Sequence, residues 1–331
     1  MPAKLWTPMT DGFVRCDACA QQCIVGADRV GKCCVRGNKR GMLHSLVESL
    51  YAGLSLEPVE RRSLYHFLPG SSCVAVQGLG CSLSCLFCPH SSSALLPQER
   101  QMVRGQRVTP ERLAHQAESS GAACVVFCGG EPAVSFESVY EVAGLLMTCG
   151  LKTALRTNGY ASTDCLMELY RRVQAASVSL MSFSDKFYQE YCGGRLQPVL
   201  DSLKAMRGIG WWLEVSTPVL AGVNDAPGEF RAMARFIREE LGPETPWHLH
   251  RFVPTYKLTS RAETSLSRME QCCAMAREEG LVFVYADESA ESTACPQCGA
   301  VIVQRGAQRA QLRAPQGLCP QCGRQIPGVW G

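Results

Sequence analysis

The sequence predicts an α/β fold: a partial (β/α)6 TIM-like barrel with a small cysteine-rich module at each end. Six short apolar runs, at 73–77, 123–127, 152–156, 176–181, 212–217 and 247–252, each end near a loop of polar residues or glycine. Amphipathic stretches of roughly ten to fifteen residues separate them, and that alternation is βα repetition, which builds a parallel sheet. Cysteines crowd both ends of the chain and the loop after the first run. The domains expected from this distribution are an N-terminal cysteine-rich module at 1–60, a barrel core at 61–290 and a C-terminal module at 291–331.

The helices between the runs start at readable caps. Thr109-Pro110-Glu111 opens one, Ser162-Thr163-Asp164 a second and Thr264 a third, each ahead of apolar residues at helical spacing. Parallel α/β folds place their chemistry at the carboxyl ends of strands, so the residues just after each run are the candidates.

Bulk properties narrow the function classes. At ~150 residues per domain, 331 residues make about two domains, and 46% hydrophobic content supports a core. A net charge of +3, from 33 basic and 30 acidic residues, lacks the excess that nucleic-acid binding by the phosphate backbone requires. The start Met-Pro-Ala-Lys carries no charged n-region followed by an apolar h-region, so a cytoplasmic protein is expected. The longest stretch without Asp, Glu, Lys or Arg, 63–98, is broken by Gly, Ser, Pro and His, so no membrane span is expected. The 20 cysteines then need a use other than disulfides, and metal binding leads in a reducing compartment. Cys124, Cys149, Cys165, Cys192, Cys272 and Cys273, in apolar or helical stretches, read as small hydrophobes.

The loop after the first run holds Cys81, Cys85 and Cys88, spaced C-x3-C-x2-C behind Gly78 and Gly80. Three thiolates are one short of a closed zinc or iron-sulfur site, which implies an iron with an open position. The uncharged surround lowers the local dielectric, and Phe87 can shield the group. After the second run comes Gly129-Gly130-Glu131-Pro132, where glycines admit close backbone approach and a carboxylate can accept from an ammonium.

These two motifs together resemble the radical S-adenosylmethionine (SAM) enzymes, over about residues 73–285. The resemblance implies a barrel of the radical SAM type and a 4Fe-4S cluster on Cys81, Cys85 and Cys88. It implies that SAM chelates the fourth iron, with its amino group at the loop of Gly129, Gly130 and Glu131. One electron then cleaves SAM to methionine and a 5′-deoxyadenosyl radical that abstracts hydrogen from a substrate; an electron donor such as flavodoxin or ferredoxin follows. Thr157-Asn158-Gly159 resembles a loop near SAM in glycyl-radical activating enzymes, although Asn-Gly is equally an ordinary turn. Where those relatives carry Asp-Leu-Lys, this chain has Ser179-Leu180-Met181, leaving Ser182 and Ser184 as substitutes. His248 and His250 alternate on one face of the last run, as cofactor or substrate contacts or as hydrogen-bonded core histidines.

At the C-terminus, Cys295-x2-Cys298 and Cys319-x2-Cys322, 20 residues apart, fit a zinc ribbon whose four thiolates leave no open position. At the N-terminus, Cys16, Cys19, Cys23 and Cys33 make four thiols of uneven spacing, for zinc or an auxiliary 4Fe-4S cluster, with Cys34 as a neighbour able to replace Cys33. These ends, the segment from Pro58 to Ser71 and Pro246-Trp247-His248 look like the AmmeMemoRadiSam-system radical SAM enzymes, which are similar to pyruvate formate-lyase activating enzymes. That resemblance implies Memo-like and AMMECR-like partners and leaves the substrate open. Ala286-Asp287-Glu288 departs from the Gly-Asn expected there. The alternatives are a glycyl-radical activating enzyme acting on a protein glycine, an RNA-modifying enzyme, which the charge opposes, and a non-catalytic cluster protein.

Overall fold

The computed structural model describes residues 2–100, 102–286, 291–306 and 310–331. Eight strands form one open sheet: β1 (Gly53–Pro58), β2 (Ser72–Gln77), β3 (Cys124–Cys128), β4 (Lys152–Thr157), β5 (Ala175–Ser179), β6 (Trp212–Val219), β7 (Trp247–Arg251) and β8 (Val284–Ala286). They lie across the sheet in chain order, and each pairing from β2 to β8 is parallel. The six expected runs are β2 to β7, displaced by a residue or two at their ends. β1 pairs antiparallel along all of β2, Gly53 opposite Gln77 and Pro58 opposite Ser72, and it lies on the N-terminal side of the boundary expected at 60.

Helices α1 (Pro110–Ser119), α2 (Phe136–Thr148), α3 (Thr163–Leu169), α4 (Gln197–Gly208), α5 (Pro227–Phe236) and α6 (Leu266–Glu278) cover the outside of the sheet. Thr109 and Ser162 cap α1 and α3 as expected, accepting from Arg112 N and Cys165 N. The cap of α6 is Ser265 and not Thr264, whose hydroxyl instead donates to Val219 O at 2.6 Å and ties this connection to the end of β6. Cys149, expected as core filler, is exposed where α2 ends, whereas Cys124, Cys165, Cys192, Cys272 and Cys273 are buried.

Alternation along the strands separates two interiors. Val74, Val76, Val125, Phe127, Leu155, Val178 and Val215 pack outward in one cluster with Leu113, Val139, Leu166, Leu203, Phe230 and Met269 of the helices. Cys73, Cys124, Val126, Ala154 and Ala175 face inward and meet Val59, Leu64 and Phe67, so the segment before β2 stoppers the amino end of the barrel. Above that floor the inward positions are polar. Register places Arg156 beside Ser177, Ser179 beside Ser216, and Ser216 beside His248.

The N-terminal module contains a small antiparallel sheet of Trp6–Pro8, Val14–Cys16 and Ile24–Val25 and a hairpin of Arg36–Lys39 with Met42–Ser45. The C-terminal module is a three-stranded antiparallel sheet of Thr293–Ala294, Val301–Gln304 and Gln311–Leu312. It packs on the amino end of the barrel, sharing an apolar cluster with Tyr65, Phe283 and Tyr285. Among the described residues no helix is long and apolar enough to cross a membrane.

Candidate cofactor and metal centres

The loops after β2, β3 and β4 meet at the carboxyl end of the barrel around a cavity of about 540 Å³. Cys81, Cys85 and Cys88 line it together with Gly129, Gly130, Glu131, Thr157 and Asn158. Hydrogen bonds join the three loops. Asn158 Nδ2 donates to Cys81 Sγ at 3.4 Å and to Ser82 Oγ at 3.1 Å. The Glu131 carboxylate accepts from Thr157 Oγ1 at 2.7 Å, Asn158 N at 2.9 Å and Ala133 N at 3.2 Å. Gly130 has to be glycine, because a Cβ there would lie 2.7 Å from the carbonyl carbon of Gly78. The cysteine loop is further pinned from below, Ser84 N donating to Cys192 O at 2.8 Å and Leu86 N to Tyr191 O at 2.9 Å.

Burial sets the charge states. It pushes the Cys81 thiol up, aided by the nearby Glu131 charge, and the Cys88 thiol up to about 12. Cys85 is raised by its hydrogen bond with Cys192 and by burial. Burial also raises Glu131, against the opposing pull of the Asn158 amide and Thr157 hydroxyl. Loading a metal group on these thiols therefore displaces protons. The donor set suits an iron-sulfur cluster, since three thiols share one wall and the side they leave open faces the cavity.

Residues 77–237 match the model of the radical SAM superfamily. The chain is 30% identical over 331 residues to an uncharacterized protein of Methanocaldococcus jannaschii, covering 98% of each chain. This chain belongs to the radical SAM superfamily. It is also 24% identical over 166 residues to the pyruvate formate-lyase-activating enzyme of Clostridium pasteurianum, covering 48% of this chain and 66% of that one. The fold of this radical SAM protein matches that of Streptococcus suis SuiB bound to its precursor peptide SuiA, with a TM-score of 0.52 at 15% identity. That match covers 69% of this chain and 51% of SuiB, and shows the fold alone. Reductive cleavage of SAM at a 4Fe-4S cluster is general to the superfamily.

Two residues expected at the cofactor do not line the cavity of this radical SAM protein. Ser182 is fully buried, and its hydroxyl donates to Glu229, which also accepts from Phe183 N at 3.1 Å. His248 is fully buried one layer below, its Nε2 at 2.7 Å from Glu214 Oε2. Glu214 is saturated, accepting also from Tyr65 N, His66 N and Trp212 Nε1, and burial lowers His248. His250 does line the cavity, as do Ser179 and Met181. Among the linings that the sequence did not single out are the basic side chains Arg156, His90 and Arg251. Arg156 was legible as the charged residue closing the apolar run of β4. Of the departure at Ala286-Asp287-Glu288, Asp287 and Glu288 lie outside the described residues.

The two ends differ. Sulfurs of Cys295, Cys298, Cys319 and Cys322 all lie within 4.8 Å of one another, a spacing suited to one tetrahedral ion. Among the described residues no other cysteine set closes to that spacing. Cys16, Cys19, Cys23 and Cys33 are nevertheless near enough that Cys19 and Cys33 are each raised, first by burial and then by the other thiols. Lys32 N donates to Cys23 Sγ at 3.4 Å. Buried Arg36 reaches Cys16 and pairs through its two terminal guanidinium nitrogens with Glu137, at 2.8 and 3.0 Å. The turn from Cys16 to Cys23 docks on the loops after β2 and β4, Gln21 Nε2 donating to Ser82 O at 2.9 Å and Ala20 N to Tyr160 O at 3.0 Å.

Proposed function

We propose that this chain is a radical SAM enzyme that holds a 4Fe-4S cluster on Cys81, Cys85 and Cys88 and takes the SAM amino group at Glu131, with Gly129, Gly130, Thr157 and Asn158 shaping the contact. The observation that carries the reading is the bonded path from Cys81 through Asn158 to Glu131 along one cavity. When bound, cluster and SAM supply the one-electron cleavage that yields methionine and a hydrogen-abstracting 5′-deoxyadenosyl radical. Asn158 holds the Cys81 sulfur in orientation, three donors fix the Glu131 carboxylate for an ammonium, and Phe87 and Phe252 exclude water from the cavity.

In this reading the electron comes from a flavodoxin or ferredoxin in the cytoplasm. Zinc fills Cys295, Cys298, Cys319 and Cys322, and the N-terminal cysteines hold zinc or an auxiliary 4Fe-4S cluster. The residues at both ends support membership of the AmmeMemoRadiSam system, with Memo-like and AMMECR-like partners. A second reading, activation of a protein at a glycine, is favoured by the similarity to the pyruvate formate-lyase-activating enzyme. The test common to both is anaerobic reconstitution followed by reduction with SAM present. The wild type should form 5′-deoxyadenosine and methionine, and Cys85→Ala, short of one ligand, should not. A variant as fast as wild type would overturn the cluster assignment.

A further inference from the structure

The inward face of β4 to β7 holds a charge that the cofactor reading does not use. Arg156 lines the cavity, and its Nη1 donates to Ser179 Oγ at 2.8 Å on β5 and to Ser216 Oγ at 2.5 Å on β6. Both partners are neutral hydroxyls, and among the described residues no carboxylate pairs with this guanidinium. Glu131, the acid nearest in the cavity, is turned to Thr157, Asn158 and Ala133. Glu214, deeper in the barrel, is committed to His248 and three N–H donors. The thiol that could answer the charge, Cys128, is pushed up by burial to about 11 and is neutral near pH 7.

The neighbouring groups do not neutralise it: one is a second guanidinium and two are imidazoles held in their neutral form. Arg62, paired with Glu57, acts on Arg156 through its field. His90 and His250, which share the cavity wall, are both lowered, first by burial and then in part by Arg156 itself. Leaving a desolvated charge without a counter-ion is costly, and the usual resolution is a partner of opposite sign. Here the open side of the guanidinium faces a cavity whose volume suits a small ligand. A planar fork with the Ser179 hydroxyl beside it on the cavity wall matches the oxygens of a carboxylate or phosphate.

We propose that Arg156 and the Ser179 hydroxyl, with buried Ser216 holding the guanidinium in place from behind, form an oxyanion subsite that binds a carboxylate or phosphate of the substrate. This rests on the radical SAM reading and narrows it: the substrate is an acid, anchored on the β4 to β6 side of the cavity. The same wall carries Ser179 and Met181, neither of them charged. Arg156 therefore supplies the cation of this wall from the neighbouring strand.

The test uses the full chain, anaerobically reconstituted and loaded with SAM. Acetate and inorganic phosphate serve as separate probes, with chloride at matched ionic strength as control, and thermal stabilisation is followed to saturation. At least one oxyanion should stabilise the wild type saturably where chloride does not, and the better probe tells carboxylate from phosphate. Arg156→Met should raise the half-saturating concentration at least tenfold while SAM affinity, titrated separately, stays within twofold. If oxyanions act no differently from chloride, the subsite is refuted. If Arg156→Met weakens SAM tenfold instead, the arginine serves the carboxylate of SAM, which also refutes it. Should Arg156→Met lose iron, Arg156→Lys and the double variant Ser179→Ala/Ser216→Ala carry the test: each should weaken the probe at least threefold, and unchanged binding in both overturns the proposal. The same titration on the cluster-free chain reads the subsite independently, so a wild type that binds no SAM overturns the radical SAM reading without deciding the subsite.

Discussion

Glu131 and His66 are both buried and titratable, and their partners assign them different work. A carboxylate left alone at this depth would take up a proton, but Thr157, Asn158 and Ala133 donate to Glu131 and favour its charged form. Glu131→Gln turns an amide toward those donors and removes the charge that an ammonium needs. We expect SAM affinity to fall about ten- to a hundredfold with iron content retained. Equal affinities in a SAM titration of the two proteins would falsify the role. His66 is fully buried, with Nδ1 2.8 Å from Pro327 O and Nε2 2.7 Å from Tyr285 Oη, and burial lowers it from 6.5 to about 4. Because the folded value is depressed, its contribution to stability is whole above pH 6.5 and is lost as pH falls through about 4. The amount at stake is on the order of 3 kcal/mol. Urea midpoints should therefore drop more steeply with acid in wild type than in His66→Gln, and parallel curves would show that His66 does not set the slope.

At the level of elements, two glycines of the same barrel should respond to alanine in opposite senses. At Gly130, in the loop after β3, the added Cβ meets backbone, lying 2.7 Å from Gly78 C and 2.8 Å from Leu79 N. Backbone cannot yield as a side chain does, so Gly130→Ala should cost about 1–3 kcal/mol and disturb the loop that carries Glu131. Gly208, the last residue of α4, is exposed and has nothing within 4 Å of its Cβ position. Gly208→Ala should raise stability by up to about 1 kcal/mol through helix propensity and a less flexible unfolded chain. Denaturant midpoints of the two variants decide it; a neutral Gly130→Ala would mean that the loop relaxes freely.

Across the whole molecule, the C-terminal ribbon is built into the base of the barrel. Val329 N donates to His66 O at 2.8 Å and Leu68 N to Val329 O at 2.7 Å. Arg305 donates to Tyr65 O at 2.7 Å, with its guanidinium 4.0 Å from the Tyr65 ring centre. Tyr285, on the last barrel strand, bonds Thr293 of the ribbon at 2.9 Å. A chain ending at 291 would uncover Tyr65, Phe283 and Tyr285 and strand the polar groups of His66. It should melt well below the 331-residue chain, and a truncated barrel with unchanged midpoint would show that the ribbon is dispensable. Cys298→Ser should also lose about one equivalent of zinc per chain relative to wild type, together with part of the stability. A Cys298→Ser variant that loses iron and keeps its zinc in elemental analysis would refute the structural-zinc assignment.

The repeating architecture and the cysteine chemistry were legible in the sequence because both are local. Apolar runs report their own strands, Thr109 and Ser162 report their own helix starts, and the spacings C-x3-C-x2-C and C-x2-C bring thiols together within single loops. Which strand side chains face the cavity was less legible than the loops that ring it, because that depends on how far along a strand each residue sits once the sheet has curved. His248 and His250 share a face, but at ~3.3 Å of rise per residue two positions separate a histidine locked on Glu214 from one on the cavity wall. Arg156 reads from sequence as the polar end of an apolar run. Only the register that sets β4 beside β5, and β5 beside β6, turns it toward two serines and an unclaimed space. The thiol ribbon announces its own closure but not its dock, since the surface it covers is assembled from Tyr65, His66 and Phe283, which come together only when the barrel closes.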